Sequence, residues 1–218
     1  MNEWHVVSFS GGKDSTAMLL RMLELGMRVD EIIFCDTGAE FPQMYEHVEK
    51  VEKYIGRKIT RLKAEHDFEY MLLHYKPRRK KAEEGKIGLG FSGPTVRWCT
   101  SYLKKDVIKR HFKGRENVIQ YVGIAADESK RAKAAEKRYP LIDWNWTEAA
   151  ALQYCYDKGF DWGGYINCFR VFLVGVARLC VLTGAELSES TSPNYGRNFF
   201  HGNIKRGISL NLHGRLTH

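Results

Sequence analysis

Ser10, Gly11, Gly12, Lys13, Asp14 and Ser15 stand consecutively near the start of the chain, between a strand-like and a helix-like run. Adjacent glycines let backbone amides turn toward an anion with no Cβ in the way. A helix beginning just after them adds the positive end of its dipole, so a phosphate can rest there. Ser10 and Ser15 bring hydroxyl donors, and Lys13 brings a point charge. The spacing is not that of a Walker loop, whose first glycine lies further from its GK pair.

Other chemistry-bearing residues follow at intervals. Asp36, Thr37 and Gly38 precede Phe41 and Pro42, and Arg97, Trp98, Cys99 and Thr100 precede Lys104. Residues 123–131 (GIAADESKR) hold Gly123, Asp127, Glu128, Ser129 and Arg131. Plain readings stand beside the functional ones. Cys35 in an apolar run reads as core, and Trp144 and Trp146 as packing residues. Asp127 and Glu128 also read as loop acids, and Cys99 as either an inert thiol or a ligand or nucleophile. The basic run at residues 76–81 reads equally as a solvated loop or a phosphate-binding flap.

The elements that must position these residues alternate in period. Residues 4–9 (WHVVSF) and 29–35 (VDEIIFC) read as buried strands, and 59–62 (ITRL) as a short third. Residues 15–25 and 44–55 read as helices closed by Gly26 and Gly56. Residues 104–112 read as a helix, 118–124 (VIQYVGI) as a strand, and 147–158 as a further helix entered through Thr147 and Glu148. Such alternation implies a parallel sheet with right-handed crossovers. Ligands of such sheets bind beyond the carboxyl ends of the strands. Residues 76–95 break the pattern with basic residues, four glycines and two prolines, which is loop chemistry and suits a flap.

The whole is 218 residues, 44% hydrophobic, enough for one sizeable α/β domain and an appendage. No stretch is apolar enough to cross a membrane, and no secretory pattern follows Met1, so a cytoplasmic protein is expected. Cys35, Cys99, Cys155, Cys168 and Cys180 are an odd number without paired spacing, which argues against a disulfide framework. The net charge of +8 divides evenly between residues 1–164 and the shorter remainder, so the first segment is only mildly basic and charge decides nothing about nucleic acid.

SGGKDS in this setting resembles the PP-loop of the ATP pyrophosphatases. The later segments resemble the phosphoadenosine phosphosulfate (PAPS) reductase-like family within that superfamily: the DTG…FP and RWCT…LK stretches, GIAADESKR, and residues 139–144 (YPLIDW). The resemblance covers roughly residues 4–164. It implies an α/β fold, a parallel-sheet three-layer sandwich of the adenine nucleotide alpha-hydrolase type. It also implies an enzyme that binds ATP or adenylyl sulfate/PAPS and acts at the α-phosphate or sulfonyl group, in sulfur transfer or reduction. Ser8, Ser10, Gly11, Gly12, Lys13, Asp14, Ser15, Asp36, Thr37, Gly38, Gly123 and Arg131 would then bind nucleotide. Arg97, Lys104, Asp127, Glu128 and Ser129 would bind substrate, and Lys13, Asp36 and Cys99 would be catalytic. Asp36, with Asp14, is the expected Mg²⁺ holder. Ala125 and Ala126 stand where reductases often carry arginine, which weakens the case for a sulfonucleotide, and the intact loop favours ATP. A thiol or a nucleic-acid base would be the acceptor. The alternative is a catalytically degenerate nucleotide- or nucleic-acid-binding accessory protein.

After Gly164 the character changes: acidic residues nearly vanish, and residues 188–194 (SESTSPN) show no periodicity. Relatives of this pattern continue into a cysteine-rich RVSCWCCPL segment and then PELW, and neither is present. Read from the third nucleotide of each codon, residues 165–179 permit the first string and residues 191–196 permit Phe-Pro-Glu-Leu-Trp. A one-nucleotide loss, or a two-nucleotide gain, near Gly164 accounts for both. The chain therefore reads as a nucleotide-binding domain at 1–164 and an out-of-frame, poorly ordered, irregular tail at 165–218. Cys99 would be the surviving ligand of an iron–sulfur or zinc site present in intact relatives and absent here.

Overall fold

The computed structural model describes residues 3–76, 87–90, 97–134 and 136–162. The tail expected to be out of frame and most of the basic stretch at 76–95 lie outside these residues. Five strands form one sheet in which every neighbouring pair is parallel: β1 (Trp4–Ser8), β2 (Glu31–Asp36), β3 (Thr60–Lys63), β4 (Val118–Val122) and β5 (Lys137–Arg138). Their order is β3-β2-β1-β4-β5, so the chain works outward from β1 in one direction and then returns to build the other. The point of reversal lies between β1 and β4, where a crevice opens at the carboxyl edge.

The sheet is covered on both faces, which is why β1 and β2 read as near-continuous apolar runs. Successive residues point to opposite sides. Val7, Ile32 and Phe34 join the cluster built with α1 (Lys13–Glu24), α2 (Pro42–Ile55) and α7 (Glu148–Asp157). Val6, Ile33 and Leu62 pack on the other side against Val107 of α5 (Asp106–His111). This is the expected three-layer sandwich. A further cluster, formed by Ala39, α3 (Phe68–Leu73), Trp98 of α4 (Trp98–Thr100) and Leu103, is separate from both.

Element boundaries follow local chemistry. Helix α2 starts at Pro42, two residues before its apolar pattern, because proline suits a first turn. Gly56 closes it at φ 65°. Helix α1 starts at Lys13 rather than Ser15, so Lys13 and Asp14 lie in its first turn. Helicity expected from Lys104 begins six residues earlier, through α4 and a π-helical turn at Ser101–Lys105. Strand β4 stops at Val122, short of the expected Ile124. Two elements had no counterpart in the sequence reading: α3, capped by the Asp67 carboxylate on the Tyr70 N–H at 2.9 Å, and the two-residue β5. Residues 87–90 lie back on α3, where the Gly88, Leu89 and Gly90 amides donate to the Tyr75, Met71 and Leu72 carbonyls. No helix among the described residues is long and apolar enough to cross a membrane.

Candidate functional site at the carboxyl edge of the sheet

Helix α1 follows β1 through the Ser10–Ser15 turn, and no side chain caps it. Its first-turn amides are therefore open to an anion. The turn is held by its own hydroxyls. Ser15 Oγ–H donates to the Gly12 carbonyl at 3.0 Å, so Ser10 Oγ, 3.0 Å from Ser15 Oγ, is the donor of that pair. The Ser10 amide also donates to Ser15 Oγ at 3.1 Å. Gly11 takes φ 77°, in the left-handed region that favours glycine. Gly123, just past β4, comes so close that a Cβ there would lie 2.7 Å from the Ser15 nitrogen. Glycine is required because the strand end abuts the backbone of the phosphate-type turn. Ser8, at the end of β1, accepts from Gln120 Nε2 at 2.6 Å, tying β1 to β4 beneath the turn.

Lys13 is buried, and its ammonium sits 3.0 Å from the Asp14 carboxylate and 3.1 Å from Glu148 of α7. Burial pulls its pKa down, but the two carboxylates outweigh burial and hold it above the usual lysine value. Asp14 moves up as well: burial raises it, Lys13 opposes, and Glu148 and Glu128 push it further. The Asp14, Glu128 and Glu148 oxygens lie within 4.8 Å of one another.

Asp36 is not part of that group. Its Oδ1 accepts from Tyr45 Oη–H at 2.7 Å and from the Gly38 N–H at 3.0 Å, and Lys63 pairs with Oδ2 at 3.1 Å. Burial raises its pKa, but these donors more than compensate and leave it below the ordinary carboxylate value. Asp36 lies outside the Asp14, Glu128 and Glu148 group, and its carboxylate fixes the 36–38 turn. Thr37 is buried, donates to Glu40 at 3.1 Å and offers its carbonyl to the Phe68 amide, so that turn is joined to α3. Gly38, at φ 76°, faces the Asp67 side chain.

Arg97 is exposed just before α4, Cys99 is half-buried against the α3 cluster, and Lys104 is half-buried in the π turn. In the three-ten turn at Ala126–Arg131, Asp127 accepts the Glu148 amide at 3.1 Å and so supports the start of α7, which Thr147 caps. Glu128 pairs with exposed Arg131, and Ser129 is exposed. Ala125 is fully buried.

The cysteines of the described residues do not gather. Burial pushes the Cys35 thiol up to about 11 and Cys155 up to about 12, so both remain protonated. Thiolate ligands are what a cluster needs. An iron–sulfur or zinc centre does not fit these residues.

Three residues of the site lay outside the sequence reading. Trp162 donates its indole N–H to the Gly11 carbonyl at 2.9 Å. His47, tilted against it with ring centroids 4.8 Å apart, lies 3.1 Å from Thr16 Oγ1. Burial, aided by Lys50, lowers His47 to about 4, so the ring is neutral. Cys155 donates to the Lys13 carbonyl at 3.4 Å. A Trp or His alone carries no motif, and only the folded geometry reveals these partners.

Residues 4–161 match the family model described as phosphoadenosine phosphosulfate reductase domain. An uncharacterised protein of Methanocaldococcus jannaschii is 32% identical over 188 residues, covering 75% of this chain and 35% of that protein. The uncharacterised nin region protein ORF290 of Escherichia phage lambda is 32% identical over 152 residues, covering 59% of this chain and 50% of that protein. The chain thus spans between about a third and a half of the length of these relatives. Among solved structures, a phosphoadenylyl-sulfate reductase of Candida auris in phosphate complex is similar, with TM-score 0.50 and 17% identity over 76% of this chain and 77% of that one. This likeness is one of fold.

Proposed function

The chain belongs to the phosphoadenosine phosphosulfate reductase domain family, and from that premise we propose that it binds an adenine nucleotide and acts at its α-phosphate or sulfonyl group, in sulfur transfer or reduction. The observation that carries this reading is the uncapped start of α1 abutting Gly123 at the point where strand order reverses. Open first-turn amides lie there beside a lysine from the same turn, which suits phosphate oxygens. ATP is the favoured nucleotide. Its β,γ-phosphates would lie on the Gly12–Ser15 turn, and Lys13 would leave Asp14 and Glu148 to stabilise charge on departing pyrophosphate. Ala125 and Ala126, standing where reductases often carry an arginine to grip a sulfonucleotide, support this choice over adenylyl sulfate or PAPS. Arg131, Arg97 and Lys104 would hold the acceptor's anionic groups.

Carboxylate oxygens suit Mg²⁺. Asp14, Glu128 and Glu148 are the residues that would hold it, and it would neutralise phosphate charge. The reading gives it no further role.

Titration calorimetry with ATP, adenylyl sulfate and PAPS, together with an assay of pyrophosphate release, tests the proposal. ATP should bind most tightly. Lys13→Ala should weaken it about 10- to 100-fold, the range expected for losing a charge-assisted hydrogen bond. Unchanged affinity for every nucleotide in that variant would sink the assignment. Salt-sensitive nucleic-acid binding without pyrophosphate release would favour an accessory role.

A further inference from the structure

Three successive carbonyls of the phosphate-type turn, those of Gly11, Gly12 and Lys13, are each held by a group from elsewhere in the sequence or from the first turn of α1. Gly12 O accepts from the Thr16 amide and from the hydroxyls of Ser15 and Thr16, all at 3.0 Å. Lys13 O accepts the Cys155 thiol. Gly11 O accepts the indole N–H of Trp162. No peptide bond among the described residues is cis. In a trans unit the carbonyl of one residue and the N–H of the next point in opposite directions. Pinning the Gly11 carbonyl inward therefore turns the Gly12 N–H outward, and the Gly12 and Lys13 carbonyls do the same for the amides of Lys13 and Asp14.

Trp162 is well placed for this. It is buried, and it is seated by His47, whose ring in turn meets Phe9 and Phe160. Because the Thr16 hydroxyl proton goes to Gly12 O, the His47 Nε2 must carry the proton that meets Thr16 Oγ1. Trp162 thus holds the Gly11 carbonyl directly, while His47 supports the Gly12 carbonyl through the Thr16 hydroxyl. Glycine at position 11 offers no side chain to resist rotation of its own peptide, so the external donor sets the orientation.

We propose that Trp162 is a positioning residue for anion binding: its indole N–H holds the Gly11–Gly12 peptide so that the Gly12 amide faces a bound di- or triphosphate. The inference rests on the nucleotide-binding reading and goes beyond it, since it makes the site's affinity depend on a residue 151 positions from the loop it serves.

Trp162→Phe keeps an aromatic ring and removes the N–H donor together with part of the ring volume. Trp144→Phe is the control, since Trp144 packs against the same core. Calorimetry with inorganic pyrophosphate on the full chain should show affinity reduced about three- to tenfold in W162F, the loss of one hydrogen bond, and unchanged in W144F. Equal affinity in W162F and the parent overturns the inference while leaving the nucleotide reading intact. A parent that binds neither pyrophosphate nor ATP overturns both. Should W162F fail to fold, the parent labelled with ¹⁵N-tryptophan decides. The Trp162 indole resonance should shift with pyrophosphate occupancy more than that of Trp144, and an unmoved Trp162 resonance overturns the inference.

Discussion

The loops at the carboxyl ends of β1 and β2 are built differently. On the β1–α1 side, the turn is locked by donors from α7, from the first turn of α1 and from Trp162, and a strand end presses directly on its backbone. On the β2–α3 side, Asp36 and Thr37 are locked just as firmly, but their partners are local: Gly38, Glu40, Tyr45 and Phe68, with Lys63 from the neighbouring strand. The first flank spends its hydrogen bonds on aiming backbone amides outward. The second uses an acid to shape a turn and leaves Arg97 exposed beside it. A preorganised anion cradle faces a flank of short elements, which is the division expected where one ligand part is constant and the other sets specificity.

The largest expected effect lies at the backbone contact. Gly123→Ala places a methyl 2.7–2.9 Å from backbone atoms of Asp14 and Ser15, none of which can swing away as a side-chain end would. Stability should fall by about 1–3 kcal/mol, the usual cost of overpacking, and ATP affinity should fall more than in Lys13→Ala. Chemical denaturation and calorimetry on the same sample check both. A variant with parental affinity would show that the cradle does not depend on its contact with β4.

The two acids, Asp36 buried and Asp14 half-buried, should respond oppositely to pH. Asp36, held below its usual 3.8, contributes stability that is present above that value and lost as pH falls through its depressed folded pKa. Asp14, raised above 3.8, contributes stability that is present below 3.8 and lost as pH rises through its folded pKa. Asp36→Asn should therefore lower the melting temperature at neutral pH, and Asp14→Asn should raise it in the ligand-free protein while weakening nucleotide binding. Melting curves between pH 3 and 8 settle the signs. The same sign for both variants at neutral pH would erase the contrast between flanks.

The smallest effect belongs to Arg131. Its pair with Glu128 is exposed, so Arg131→Ala should change stability by less than about 0.5 kcal/mol. Any larger change would mean that the 126–131 turn depends on this pair.

How much was legible beforehand divides along the same lines. The strands, the longer helices and the Ser10–Ser15 turn announce themselves because apolar period and glycine pairing are local properties. Helix α3 escaped because its six residues are too short to display a period, although Asp67 three residues before Tyr70 was a readable cap. Strand β5 exists only because β4 offers it Gln120 and Tyr121 to pair with, which no window of sequence contains. Asp127 was read as either a substrate ligand or a loop acid, and it supports the start of α7. That Glu128 and Glu148 come within reach of Asp14 was not legible, because the approach of the 126–131 turn and of α7 to α1 is a tertiary fact.

The order of strands has a consequence for how the molecule is made. Strand β1 lies at the centre, and its partner β4 is separated from it by both β2 and β3 along the chain. Until residues 118–122 have been synthesised, one side of β1 has no native partner, and an unpaired edge of such apolar character invites intermolecular pairing. Closure of so long a loop makes assembly of this half slow. The anion cradle comes later still, because Cys155 and Trp162 arrive after all five strands of the described residues. A nascent chain can thus carry the whole SGGKDS segment, and a half-built sheet beneath it, well before its phosphate-facing amides are set. Nucleotide added during refolding should accordingly leave the early collapse unchanged and act only on the final step.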